Sequence, residues 1–267
     1  MFVSFVYNIM FPHNETYIST IHECSTQFVS LYTLQTLQVM KSPDGGKYAN
    51  VDMTTKSGIQ RAIDLNFGPS GVADVVISGH LSEVMDIFHP PENRGRCFAL
   101  FRHPVRRAVS MFYYLQWASW ESTYHAKWQN MTIDEYANSK YAESNWMTRM
   151  LTRKLEGPLG LEDLASAKEV LRRKCLVGLV ERFEESTERF EKFFGWRDLV
   201  MDWEEKKKCQ RYHLEKRDNA HDHPKFEERS YVWELLRKLN LYDMELYEYA
   251  VNLFEEQKKL VELYNCD

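Results

Sequence analysis

Residues 97–116 read CFALFRHPVRRAVSMFYYLQ, and the reading of this stretch decides how the rest of the chain is parsed. The run CFALF follows an Arg94-Gly95-Arg96 turn signal and predicts a buried strand over 97–101. Pro104 suits the first turn of a helix, where its missing N–H has no intrahelical partner to lose. Beyond it Val105, Ala108, Val109, Phe112 and Leu115 recur at helical spacing and make one apolar face. Arg102 falls where the strand ends, and Ser110 lies one turn after Arg106. Ligands of open α/β sheets collect at the carboxyl ends of strands. An Arg there offers a planar fork of donors that matches a phosphate, and a Ser hydroxyl adds one more. The plainer alternative makes Arg102 a carbonyl cap and Ser110 an ordinary helix residue.

The pattern Arg-x-Pro-x-x-Arg-x-x-Ser-x-x-Tyr-Tyr, carried by Arg102, Pro104, Arg107, Ser110, Tyr113 and Tyr114, resembles the 3′-phosphate-binding motif of sulfotransferases. It is most similar to that of Golgi carbohydrate sulfotransferases of the heparan sulfate 2-O-sulfotransferase kind, which use 3′-phosphoadenosine 5′-phosphosulfate (PAPS). The resemblance implies that Arg102 and Ser110 hold the nucleotide's 3′-phosphate. Where the family usually has an acid after the first Arg, this chain has His103. Two further runs resemble the family: VGLVERFEES at 177–186 and LYDMELYEYA at 241–250. The implied fold is α/β and three-layered, a mostly parallel central sheet with helices on both faces, as in the P-loop NTPase-like sulfotransferase fold. Alternation of strand and helix signals along the chain agrees with a parallel sheet. A single sulfotransferase-like domain over 1–267 is expected, with N-terminal truncation left open.

The same resemblance asks for a phosphate-cradling loop near the start. A strand over 17–21, a loop over 22–26 and a helix over 27–40 occupy that place. Sulfotransferases typically have Pro-Lys-x-Gly-Thr/Ser-Thr there. This chain departs from it: Glu23 stands near the Lys position, no Gly is present, and only Ser25 and Thr26 match. The expectation is a degenerate or missing 5′-phosphosulfate loop, with Ser25 and Thr26 as the residues left to touch the sulfonate region.

DVVIS at 74–78 reads as a buried strand ending at Gly79-His80. A His at that place is often a core or cap residue. The 2-O-sulfotransferases carry a Gly-His at the matching position, and their His is the catalytic base, so the resemblance implies that role for His80. Imidazole titrates near neutral pH and suits removal of a sugar hydroxyl proton. The family's second His, two residues earlier, is Ser78 here.

Arg106, Arg107 and Arg149, with Arg153 and Lys154, are the candidates for a basic patch that binds an anionic glycan; the alternative is a solvated charged face. Trp117, Trp120, Tyr124 and Trp128 admit packing under a surface loop or stacking on sugar. Ser57 with Gln60, and Thr132 with Glu135, read as capping boxes. Helices are expected over 161–173, from 181 to a stop at Gly195, over 226–239 and over 243–263, with a strand over 175–180.

Of the 267 residues, 44% are hydrophobic, enough to bury a substantial core and to exclude a disordered chain. The net charge of -5 makes global attraction to an acidic polymer unfavourable, so no nucleic-acid partner is expected and glycan affinity must be local. The five cysteines are scattered without a CxxC pair, against a zinc cluster, and no metal is expected. Cys97 and Cys175 lie in apolar runs and read as buried, reduced core residues, while Cys209 and Cys266 could pair. No apolar run reaches transmembrane length, and residues 1–10 make a poor signal peptide. Golgi localisation is therefore implied by the resemblance alone. Two glycosylation sequons stand at Asn14 and Asn130.

These readings converge on an expected sulfuryl transfer from PAPS to a carbohydrate hydroxyl. The carbohydrate acceptor is the expected partner, and a homo-oligomer is left open. The rival is a non-catalytic member that binds nucleotide or glycan as an assembly partner. A P-loop kinase or hydrolase is disfavoured, because no Gly-x-x-x-x-Gly-Lys-Ser/Thr sequence occurs.

Overall fold

Strand and helix meet at Arg102 as the sequence predicts. In the computed structural model, β3 spans Cys97–Phe101 and the helix after it spans Pro104–Leu115, with Pro104 in its first turn. The structure describes residues 36–41, 47–72, 76, 78–88, 95–119, 124–195, 208 and 223–263. The architecture is mixed α/β, mostly helical, with a small parallel two-stranded sheet. The chain packs as two compact units.

One unit holds the described residues from 98 to 195 and from 223 onward. Its elements, in order, are the end of β3, α3 (Pro104–Leu115), α4 (Ile133–Ala137), α5 (Trp146–Thr152), α6 (Leu161–Lys174), β4 (Cys175–Leu179), α7 (Phe183–Phe194), α8 (Tyr231–Leu239), α9 (Leu241–Glu256) and α10 (Lys258–Leu263). The apolar face of α3 is buried together with Trp128, Tyr136, Trp233 and Leu236. Trp128 is thus a core residue, its ring edge-on to Tyr136 at 6.0 Å.

β3 pairs with β4, and no further strand joins them among the described residues. The other edge of β4 is closed by a side chain. Buried Gln257 accepts from the Val177 N–H and donates to the Cys175 carbonyl, both at 2.8 Å, as a neighbouring strand would. Gly178 is required inside β4: a Cβ there would lie 2.5 Å from the Phe190 ring and 3.0 Å from Leu100. Cys97 and Cys175, expected to be reduced, are both disulfide-bonded. Apolar neighbours bury a half-cystine as readily as a thiol, so hydropathy does not distinguish the two.

A reciprocal cap ties α5 to α9. The buried Asp243 carboxylate accepts from the Met147 and Thr148 N–H groups and the Thr148 hydroxyl, at 2.8–2.9 Å. In return, the Asn145 side-chain oxygen accepts from the Tyr242 and Asp243 N–H groups. Each helix start satisfies the orphan donors of the other. The run at 241–250 that resembles the sulfotransferases is thus bonded to the start of α5.

The other unit contains the described residues up to Cys97. β1 (Val39–Lys41) and β2 (Lys47–Ala49) form an antiparallel ladder, followed by α1 (Lys56–Asp64) and α2 (Leu81–Val84). Ala49, Val51, Ile59, Ala62, Phe67, Val84 and Ile87 make its core. The cap of α1 is Thr55, which accepts from the Gly58 N–H, and the expected cap Ser57 lies inside the helix. Of the strand expected over 74–78, the described residues 76 and 78 are not in a strand. The strand, loop and helix expected over 17–40 fall mostly outside the described residues; of the described part, 36–40, none is helical and 39–40 belong to β1.

Three elements match their sequence reading closely. The Thr132–Glu135 capping box is formed. Leu161–Lys174 is helical, and Gly195 ends α7 in the left-handed conformation at φ 73°. The two C-terminal helices begin differently: α8 starts at Tyr231 behind a Ser230 cap rather than at 226, and α9 starts at Leu241 rather than at 243. Gln257 breaks the last helix in two.

Candidate functional site

The carboxyl ends of β3 and β4 gather Arg102, His103, Arg106, Glu181 and Tyr247. β3 ends at Phe101, so Arg102 and His103 bridge directly into α3. β4 ends at Leu179 and passes into a single 3₁₀ turn, Val180–Arg182, that carries Glu181. The Glu181 carboxylate accepts from the His103 backbone N–H at 3.1 Å through one oxygen and from the Tyr247 hydroxyl at 3.0 Å through the other. One carboxylate thus clamps the β3 exit to α9.

Arg102 is half-buried and has no hydrogen-bond acceptor among the described residues. Burial holds its guanidinium below the usual range; Glu181 opposes this, and Arg106 and Arg107 add to it. The His103 ring stacks on Trp233 at 5.0 Å and meets Tyr247 edge-on at 5.4 Å. Burial, and then Arg106, lowers the His103 pKa against the opposing charges of Glu181 and Glu228. Its Nδ1 is buried without a partner among the described residues. Burial, reinforced by Glu181, pushes the Tyr247 hydroxyl well above its ordinary range.

The start of α3 completes the arrangement. His103 makes no side-chain cap, and Pro104 has no N–H, so no side-chain cap shields the positive end of the helix dipole. Ser110 is half-buried on the same helix, and Arg106 is exposed. A half-buried Arg with unused donors at an uncapped helix start can accept a dianion such as a phosphate monoester.

The remaining expected site residues lie in different surroundings. Arg107 faces inward, only 7% exposed, paired with Glu143 at 2.7 Å and lying over the Trp146 ring at 4.7 Å. Arg149 donates to the carbonyls of Ser144, Lys154 and Gly157 and so closes the loop after α5. Lys154 is paired with Asp163 at 2.7 Å. The donors that a glycan patch would use at 107 and 149 are thus engaged within the fold, which leaves Arg106 as the exposed member of the three. Ser25 and Thr26 lie outside the described residues.

His80 belongs to the other unit. It is half-buried at the start of α2; its backbone N–H donates to Ser78 Oγ at 3.0 Å, and Ser78 in turn donates to the Met53 carbonyl at 2.5 Å. Its Nδ1 is buried without a partner among the described residues. Glu181 and Tyr247 lie in the two family-like runs, yet the sequence alone assigns neither a role. The signal is their position two residues past a buried strand and within the second turn of a helix.

No family model, curated protein or solved structure matches this chain. Among the described residues no group of three metal-ligating side chains occurs, and no helix is long and apolar enough to cross a membrane.

Proposed function

We propose that this chain is a PAPS-dependent sulfotransferase acting on a carbohydrate hydroxyl, with the P-loop NTPase-like sulfotransferase fold in full and a place in the Golgi lumen. The observation that carries the reading is Arg102: a half-buried guanidinium whose donors have no acceptor among the described residues, at the end of a parallel strand and beside a helix start without a side-chain cap. That is the geometry a 3′-phosphate needs, and it falls on the residues of the Arg-x-Pro-x-x-Arg-x-x-Ser pattern.

Bound PAPS would supply the sulfuryl group and a stable bisphosphate leaving group. Arg102 and Ser110 hold the 3′-phosphate, and the positive end of α3 faces it. Arg106 adds charge at the mouth of the site. His80 takes the proton from the acceptor hydroxyl as its oxygen bonds to sulfur and the bond from sulfur to the 5′-phosphate oxygen breaks. Positioning and charge stabilisation carry the rate, as in phosphoryl transfer.

A second reading is favoured by one observation, the Glu23 and absent Gly where the 5′-phosphosulfate loop belongs. It keeps the 3′-phosphate site and makes the chain a nucleotide- or glycan-binding partner without turnover. Calorimetry with 3′,5′-adenosine bisphosphate separates both readings from no site at all. Micromolar binding, about -8 kcal/mol, lost in Arg102→Ala, is expected. Transfer of labelled sulfate to a glycan acceptor that disappears in His80→Ala while nucleotide binding persists identifies the enzyme; binding without transfer identifies the partner. Undetectable binding to the intact chain rejects the enzyme and the nucleotide-binding partner and leaves the glycan-binding one.

A further inference from the structure

We propose that Asn130 carries an N-linked glycan. The sequence Asn130-Met131-Thr132 is an acceptor sequon. Asn130 is exposed at the last position of the 3₁₀ turn Ala126–Asn130, and no hydrogen bond holds its side chain among the described residues. The backbone leaves the turn in extended form, with φ/ψ of -87°/139° at Met131 and -78°/160° at Thr132. The acceptor amide therefore stands on an outward corner, and an attached sugar displaces nothing from the core.

The corner is rigid without using Asn130. Gln116 Nε2 donates to the carbonyls of Trp128 and Met131, both at 3.0 Å, and Trp128 anchors the turn in the core. The Thr132 hydroxyl accepts from the Glu135 N–H as the cap of α4, so the group read by the transferase on the unfolded chain becomes structural once the chain folds.

An independent observation points to the compartment. Cys97 and Cys175 are disulfide-bonded, and disulfides persist where the environment is oxidising. Such compartments are reached through the secretory route, on which sequons are modified. The modification joins Asn130 Nδ2 to the anomeric carbon of an oligosaccharide carried on a lipid pyrophosphate; the bond from that carbon to the pyrophosphate oxygen breaks, and the amide loses a proton. Nothing in this inference depends on sulfuryl transfer.

The test uses the full chain passed through the secretory pathway of an animal cell. Peptide N-glycosidase in heavy-oxygen water, followed by peptide mapping, is expected to convert Asn130 to a heavy-oxygen-labelled Asp. The label at this site disappears in Asn130→Gln and survives in Thr132→Ser, which keeps the hydroxyl. Asn130→Gln is expected to melt at the same temperature as the deglycosylated parent. Mapping keeps the Asn14 sequon separate. Recovery of the Asn130 peptide unmodified and unlabelled overturns the proposal.

Discussion

Glu181 does two opposing things. Its carboxylate fixes the β3 exit through the His103 N–H and the Tyr247 hydroxyl, and its charge stands close enough to Arg102 to perturb it. A dianion bound at Arg102 is repelled by that same charge. Glu181→Gln keeps an oxygen for one donor and removes the charge. It is expected to tighten 3′,5′-adenosine bisphosphate binding by about 0.5–1 kcal/mol, roughly two- to fivefold, as a screened charge–charge contact would. Weaker binding by calorimetry would show that Glu181 matters through its clamp instead. His103 makes a separate prediction. Its folded pKa lies below the unfolded value near 6.5, mainly through burial, so the unfolded chain takes up the proton first. The stabilising contribution is complete above about pH 6.5 and is lost as pH falls below it. Urea unfolding from pH 7.5 to 5 should show this loss in the parent and a flatter profile in His103→Asn.

At the level of elements, the strongest local device is the exchange of caps between α5 and α9. Asp243 is fully buried; burial raises its pKa, while the Thr148 and Met147 N–H groups, Arg107 and the Thr148 hydroxyl lower it. Asp243→Ala leaves two backbone donors and a hydroxyl without their acceptor. At about 1–3 kcal/mol for each orphaned buried group, the loss should exceed roughly 3 kcal/mol in chemical denaturation. A loss under roughly 1 kcal/mol would mean that these donors find other acceptors. Gln257 shows the same economy at β4, where one amide replaces a strand edge. Helix spacing predicted α6 almost residue for residue because its apolar stripe and caps are local. The strand expected over 74–78 was read from hydropathy alone, and strand formation needs a partner that sequence does not name.

For the whole molecule, Cys97 and Cys175, the first residues of the two paired strands, are each disulfide-bonded. Reduction should destabilise the protein by about 2–4 kcal/mol. Thermal melts with and without reductant check this, and alkylation before reduction should leave Cys97 and Cys175 unmodified. A melt unchanged by reductant would contradict it. The acidic net charge also acquires a structural meaning. Arg107, Arg149 and Lys154 are engaged internally, which leaves Arg106 as an exposed cation for the glycan affinity proposed above.

The sequence by itself determined the strand–turn–helix unit at 97–115, the caps at Thr132 and Gly195, and the place of Arg102 at a strand end. These depend on neighbours within a few positions, where apolar period, a proline and a capping hydroxyl act directly. Only the tertiary structure decided that Arg107 turns inward to Glu143, that Asp243 and Asn145 exchange caps across 98 residues, and that Glu181 joins His103 to Tyr247. It also decided that Cys97 and Cys175 are oxidised. A side chain's type states which partner would satisfy it, while the partner itself is chosen by which distant segments the buried core brings together.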